Sequence, residues 1–317
     1  MKKILAVLGL SLFLTACGQQ TYDDETIRIG ITKADLANPV WAELVQEAVA
    51  YSADRGIQIT YLDAANNPAS QVGHIENFVQ SGMDAIIVTA VESTAIRDAV
   101  ARARAEGVVI VAYTQVLDEF DAQFLVDAFN TGFANGRRAG QWVTETFGSE
   151  EEVLWALMDL PIFPEIIERA NGIIAGVEQY APNARLVATA SALTAEEGMR
   201  NIEIFFQANP DIRMIATIGG GGAVGGNEGL RAVGFSDFEQ VGLFGIDATQ
   251  QEIQNILASG PQRASVSLGG GRTHGRTLID LAYDQLVNNP GQVTEYMPIT
   301  VIDESNAQAF YNEQWGN

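Results

Sequence analysis

From Ile27 the chain alternates short apolar runs with amphipathic stretches, and it does so twice over. "IRIGIT", "IQITYL", "DAIIVTA" and "VVIVAY" are separated by segments 39–55, 69–81 and 93–106, whose apolar residues recur at helical spacing. Each run has the length and unbroken apolar character of a strand buried on both faces. Such strands need helices on both sides of a parallel sheet. The same grammar restarts with "EEVLWALMDL", "ARLVATAS", "IRMIATI", "VGLFGID" and "RASVSL". A helix over 274–288, the strand-like "YMPITVI" and a polar helical tail complete the chain. The expected fold class is α/β, with two doubly wound parallel-sheet domains. No low-complexity linker separates them, so a cleft between like domains is expected.

The first residues, "MKKILAVLGLSLFLTACGQQ", combine two lysines, an apolar stretch over 4–14 and a small-residue end. The stretch is shorter than the roughly 20 residues that cross a bilayer, and the order is that of an export signal. Leu14-Thr15-Ala16-Cys17 resembles the bacterial lipobox, which implies removal of residues 1–16 and lipid attachment to Cys17. Cys17 is the only cysteine, so neither a disulfide framework nor a catalytic or metal-binding thiol is expected in the mature domains. Loss of Lys2 and Lys3 with the signal takes the formal net charge from −22 to −24 and leaves Lys33 as the only lysine. So acidic a surface repels nucleic acid and anionic lipid heads alike. Membrane contact is therefore expected through the lipid alone.

Few groups suggest catalysis. His74 and His274 each lack a neighbouring histidine or cysteine, so no metal site is expected, and both read as surface or helix-packing residues. No G-x-S-x-G elbow occurs. One motif does raise an enzyme. After "IRMIATI", the glycines Gly220, Gly222 and Gly225 fit G-x-G-x-x-G, and Asp247 ends the next strand where a dinucleotide ribose would need an acid. An exported NAD-dependent oxidoreductase is thus the alternative of a different class. Export to where NAD is scarce counts against it. At the carboxyl end of the first strand, "DLANPVW" places a polar turn and Trp41 at the edge where open α/β sheets bind ligands. An aromatic plane there suits the apolar face of a sugar.

The order "IGITKADLANPVW", "YLDAANNPASQVGHIENFVQSGMDAIIVTAVEST", "ERANGIIAGV", "ANPDIRMIATI" and "VGLFGIDAT" is similar to the periplasmic ribose-binding type of solute receptor over nearly all of residues 27–301. That resemblance implies two domains joined by a three-strand hinge, a ligand trapped as they close, no cofactor and no catalysis, with an ABC transporter permease receiving the cargo. It implies an N-terminal domain of 27–129 plus 270–297 and a C-terminal domain of 130–269 plus 298–317, after a tether at 17–26. The receptor is expected to be a monomer at the cell envelope, in the periplasm or on the outer face of the cytoplasmic membrane. Its implied ligand-binding residues are Asn38, Trp41, Thr89, Arg169 and Asp247, with Arg169 the donor and Asp247 the acceptor for ligand oxygens. Two positions depart from pentose receptors of this type: Tyr113-Thr114 replaces Asp-Arg, and Gly219-Gly220 replaces Asn-Asp. Tyr113 and Gly219 join the expected site on that basis. The departures point away from ribose itself toward a less hydroxylated, larger or differently charged ligand. A monosaccharide or polyol leads. A nucleoside, a furanose-like signal or a small organic anion, held by the glycine loop with Arg169 and Arg272, is the alternative.

Overall fold

The computed structural model describes residues 26–36, 39–161, 164–234 and 238–316. Cys17 and Asn38 lie outside that set. The first sheet contains β1 (Ile27–Lys33), β2 (Ile57–Asp63), β3 (Ala85–Val88), β4 (Val109–Tyr113), β5 (Ala122–Leu125) and β11 (Val293–Tyr296), in the order β11-β5-β4-β3-β1-β2. All its pairings are parallel. Its central strand β3, "AIIV", is buried at every position, as a strand covered on both faces must be. One face packs against α1 (Pro39–Ala53) and α9 (Gly271–Val287), around Ile31, Leu44, Val111 and Leu278. The other packs against α2 (Pro68–Gln80) and α3 (Ser93–Ala105), around Phe78, Ile86 and Ile96. Asn67 starts α2 by accepting from the Ala69 and Ser70 amides, with Pro68 at the first helical position.

The second sheet repeats the plan with β6 (Val153–Asp159), β7 (Ala184–Ser191), β8 (Ile212–Thr217), β9 (Gly242–Ile246), β10 (Gln262–Ser267) and β12 (Thr300–Asp303), ordered β12-β10-β9-β8-β6-β7. Here the expected parallel sheet carries one antiparallel edge strand, since β12 runs against β10. On one face lie α4 (Ala128–Phe147) and α5 (Pro164–Tyr180); on the other lie α6 (Ala195–Ala208) and α7 (Gly220–Ala232). The short α8 (Gln250–Leu257) and α10 (Ala307–Trp315) pack together beside β12.

The chain passes between the sheets three times: after β5 through Val126 and Asp127, after β10 through Leu268 to Gly270, and from β11 to β12 through Met297 to Ile299. The run "YMPITVI" is therefore two strands. Pro298 falls between them, and each half joins a different sheet.

Two glycines of the run after β8 are explained by packing. α7 lies backbone to backbone against the segment that starts α6. A Cβ on Gly221 would strike the Leu193 carbonyl oxygen, and one on Gly225 the Ala195 carbonyl oxygen. The α4–α5 pair is equally close, with Gly132 and Gly136 facing the Arg169 and Ile173 carbonyls.

Candidate ligand-binding cleft

All three crossovers line one cavity of about 650 Å³, with Val126, Leu268 to Gly270 and Met297 at its back. The first-sheet domain contributes Val40, Glu43, Tyr113, Thr114 and His274. The opposite side is built from Asp247 to Gln250 and from the end of α10. Both walls stand at the carboxyl ends of parallel strands, where side chains and helix starts converge on a ligand.

The first-sheet wall is closed on itself. β1 ends in Lys33, which is fully buried; its Nζ donates to Thr89 Oγ1 at 2.8 Å and stands 4.1 Å above the centre of the Tyr113 ring. Burial pushes the Lys33 ammonium well below its ordinary range. The Tyr113 hydroxyl meets His274 Nδ1 at 2.7 Å, and His274 Nε2 meets the Leu268 carbonyl at 2.8 Å. A carbonyl only accepts, so Nε2 carries the proton and Nδ1 accepts from the tyrosine. Burial lowers the His274 pKa, which keeps the ring neutral for that role. Behind them Gln71 ties the turn after β3, donating to the Thr89 carbonyl and accepting from the Val91 amide, both at 2.8 Å. Thr89 therefore sits behind the wall, fully buried. Trp41 packs partly buried against the core of this domain, and its neighbours Val40 and Glu43 reach the cavity.

The second-sheet wall is left open. Asp247 follows β9 with φ +104° and Ala248 follows with φ +46°, two consecutive non-glycine residues in left-handed backbone. Such strain persists where the surroundings hold it in place. Its Oδ2 accepts from the Gly220 amide, the first of α7, at 2.8 Å. Asp247 is open to solvent through the cleft mouth yet ringed by protein on its other sides. That ring desolvates the carboxylate and raises its pKa, while the Gly220 N–H and the Arg169 charge pull it back. Arg169, on α5, donates through Nη1 to the Ile218 carbonyl at 2.9 Å, and its buried Nε has no partner among the described residues. Below Asp247, Glu252 is fully buried. Its Oε1 accepts from Ser265 and Gln262 and its Oε2 from Thr249. Burial, reinforced by the Asp247 charge, pushes the Glu252 carboxyl up to about 7.

Tyr113 and Asp247 thus face the same cavity from opposite domains, with Arg169 and Gly219 beside Asp247. In the glycine loop the Gly220 N–H is taken by Asp247, while Gly221 and Gly225 serve the α6 contact. Arg272 is paired with Glu43 at 3.5 Å. His274, read from the sequence as surface or helix packing, belongs to the cleft wall. Lys33 was also missed as a site neighbour, although a lone lysine closing an apolar strand was a visible signal. Phe310 and Trp315 had none beyond their residue type.

A family described as periplasmic binding protein domain matches residues 29–290. The ribose import binding protein of Bacillus subtilis (strain 168) is 26% identical over 266 residues, spanning 80% of this chain and 84% of its own length. The xylitol-binding protein of Mycolicibacterium smegmatis is 23% identical over 274 residues, 84% and 77% of the two chains. Among solved structures, the periplasmic solute binding protein of an ABC transporter from Actinobacillus succinogenes 130z, with bound D-allose, superposes with a TM-score of 0.73 at 21% identity. It covers 90% of this chain and 100% of that one. With the family match spanning most of both domains, and the same two-sheet fold in a solved solute receptor, this chain belongs to the periplasmic binding protein domain family.

Proposed function

We propose that this protein is an exported receptor that captures a monosaccharide or polyol in the cleft between its domains and delivers it to an ABC importer. The observation that carries the reading is the cavity at the three crossovers, into which one domain presents a satisfied wall and the other a strained, open Asp247 beside Arg169, whose Nε has no partner among the described residues. A carboxylate accepts from vicinal hydroxyls, and a guanidinium donates to ring or hydroxyl oxygens. Both bonds strengthen as closure dries the site. Relatives named for ribose import and for xylitol binding support that ligand class. Asn38, Trp41, Thr89, Tyr113, Arg169, Gly219 and Asp247 remain the proposed ligand-binding set, with Thr89 acting from behind Tyr113.

Catalysis has no part in this reading. Of the glycines that would cradle a dinucleotide, Gly225 is explained by contact with the start of α6, and the Gly220 N–H is engaged by Asp247. A thermal-shift screen over sugars, polyols, nucleosides, organic acids and NADH tests it. A ligand at 100 times its Kd adds about 2.7 kcal/mol to stability. Stabilisation by a sugar or polyol is expected. A shift by NADH alone, lost in Gly222→Val, would replace the receptor with an oxidoreductase. Lipid attachment at Cys17 is part of the proposal, supported by Leu14-Thr15-Ala16-Cys17. Cys17→Ser is expected to release the protein from membranes with its ligand affinity intact, and a freely soluble wild type outside the cell would refute the anchor.

A further inference from the structure

Helix α10 holds to the second-sheet domain through Ala307, Phe310, Tyr311 and Trp315, packed against Ala248, Ile253 and Ile302. Its far end does something else. Phe310, Gln314 and Trp315 line the cleft cavity. Gln314 lies over the crossover, with Oε1 2.7 Å from where a Cβ on Gly270 would stand. Glu43 of α1, from the other domain, comes within 3.9 Å of the same point. The tip of α10 therefore stands where both domains and the hinge meet.

The aromatic residues near the cavity differ in access to it. Tyr113 is 2% exposed and its hydroxyl is held by His274, while Trp41 is outside the residues that line the cavity. Trp315 is half-buried. Its ring neighbours, Phe310 at 5.9 Å and 79° and Tyr311 at 5.4 Å and 55°, meet it edge-on or tilted and not in a parallel stack. Ala248, which belongs to the apolar cluster that Trp315 packs against, directly follows Asp247, and all three line the cavity. An indole face next to a carboxylate is the pairing that recognises a sugar ring. The flat apolar surface takes the C–H face, and the acid takes the hydroxyls at its edge.

We infer that Trp315 is a ligand-contacting, specificity-determining residue, which supplies from α10 the aromatic face of the cleft and selects ligands with an apolar ring face. This rests on the sugar or polyol reading above. The test is calorimetric titration of wild type, Trp315→Ala and Trp315→Phe with D-ribose, D-allose and xylitol, with tryptophan fluorescence followed in parallel. For a cyclic probe that wild type binds, Trp315→Ala is expected to weaken affinity about tenfold or more, whereas wild-type binding of acyclic xylitol alone would overturn the ring-face selection. Trp315→Phe should retain most of it while losing the ligand-induced fluorescence change, a loss that a purely structural role of the side chain would not produce. Wild-type affinity in Trp315→Ala, or an unchanged fluorescence response in Trp315→Phe, overturns the inference and leaves the receptor reading standing. Failure of wild type to bind any of the three removes that reading and the inference with it.

Discussion

The two walls of the cleft are built from the same strand-helix grammar but end in opposite states. On the first-sheet side, Lys33, Thr89, Tyr113 and His274 form a buried chain that ends on the Leu268 carbonyl, inside a hinge crossover. Its hydrogen-bonding capacity is largely spent internally. On the second-sheet side, Asp247 sits in strained backbone at the cavity surface, and the buried Arg169 Nε has no partner among the described residues. Buried polar groups left incomplete are costly, so such an incompleteness is expected to be filled when the site is occupied. In the proposed receptor, polar recognition falls to the second-sheet wall, and the first is a surface registered to the hinge. Closure then amounts to bringing the open wall and its ligand against the finished one.

The largest effect is expected at Asp247. Asp247→Ala removes an acceptor for two or more charge-assisted bonds, each worth about 1.5–3 kcal/mol, so the affinity for whichever sugar or polyol wild type binds should fall about a hundredfold or more. Isothermal titration gives the number. A loss of less than about threefold would move recognition off this wall and break the comparison.

Much of this architecture was legible in the chain, and the exceptions share a cause. Runs such as "DAIIVTA" and "IRMIATI" announced buried strands because a strand covered on both faces has no room for polar residues. Asp247 was visible as the acid closing one of those runs. β5 passed unnoticed, since four residues carry too little periodicity, and "YMPITVI" read as one strand because its division between sheets is decided by tertiary pairing and not by local pattern. The Tyr113–His274 bond joins residues 161 apart, so the site role of His274 depends on how α9 docks onto the sheet. Trp315 was hidden for the same reason.

An intermediate effect is expected from Glu252, which makes the open wall sensitive to pH. Its folded carboxyl titrates near 7, above the ordinary value of 4.5, because burial and the Asp247 charge disfavour ionisation. With the folded pKa raised, its contribution to stability is full below about 4.5 and is lost as pH rises through about 7. Glu252→Gln removes that titration. The stability of the variant relative to wild type, from denaturant unfolding, should therefore improve from pH 5 to about pH 7, by at most about 1.4 kcal/mol per pH unit, and level off above that. A difference that stays flat across this range would show that Glu252 titrates normally and that the floor beneath Asp247 is not the low-dielectric site described.

The smallest effect on binding is expected at Lys33, and it tests the finished wall. Because burial lowers its folded pKa below the ordinary 10.5, the folded state binds its proton more weakly than the unfolded chain does. Stability from this group therefore rises with pH between the lowered folded value and 10.5, and is penalised below it. Lys33→Met fills a similar volume without the charge. It should raise the unfolding midpoint at pH 6, and the gain should shrink toward pH 10, while ligand affinity stays within about threefold of wild type. A gain that does not depend on pH would mean that Lys33 keeps its proton at no cost, through Thr89 and the Tyr113 ring. A large loss of affinity would instead make the ammonium a ligand donor, and the first-sheet wall would then be as unfinished as the second.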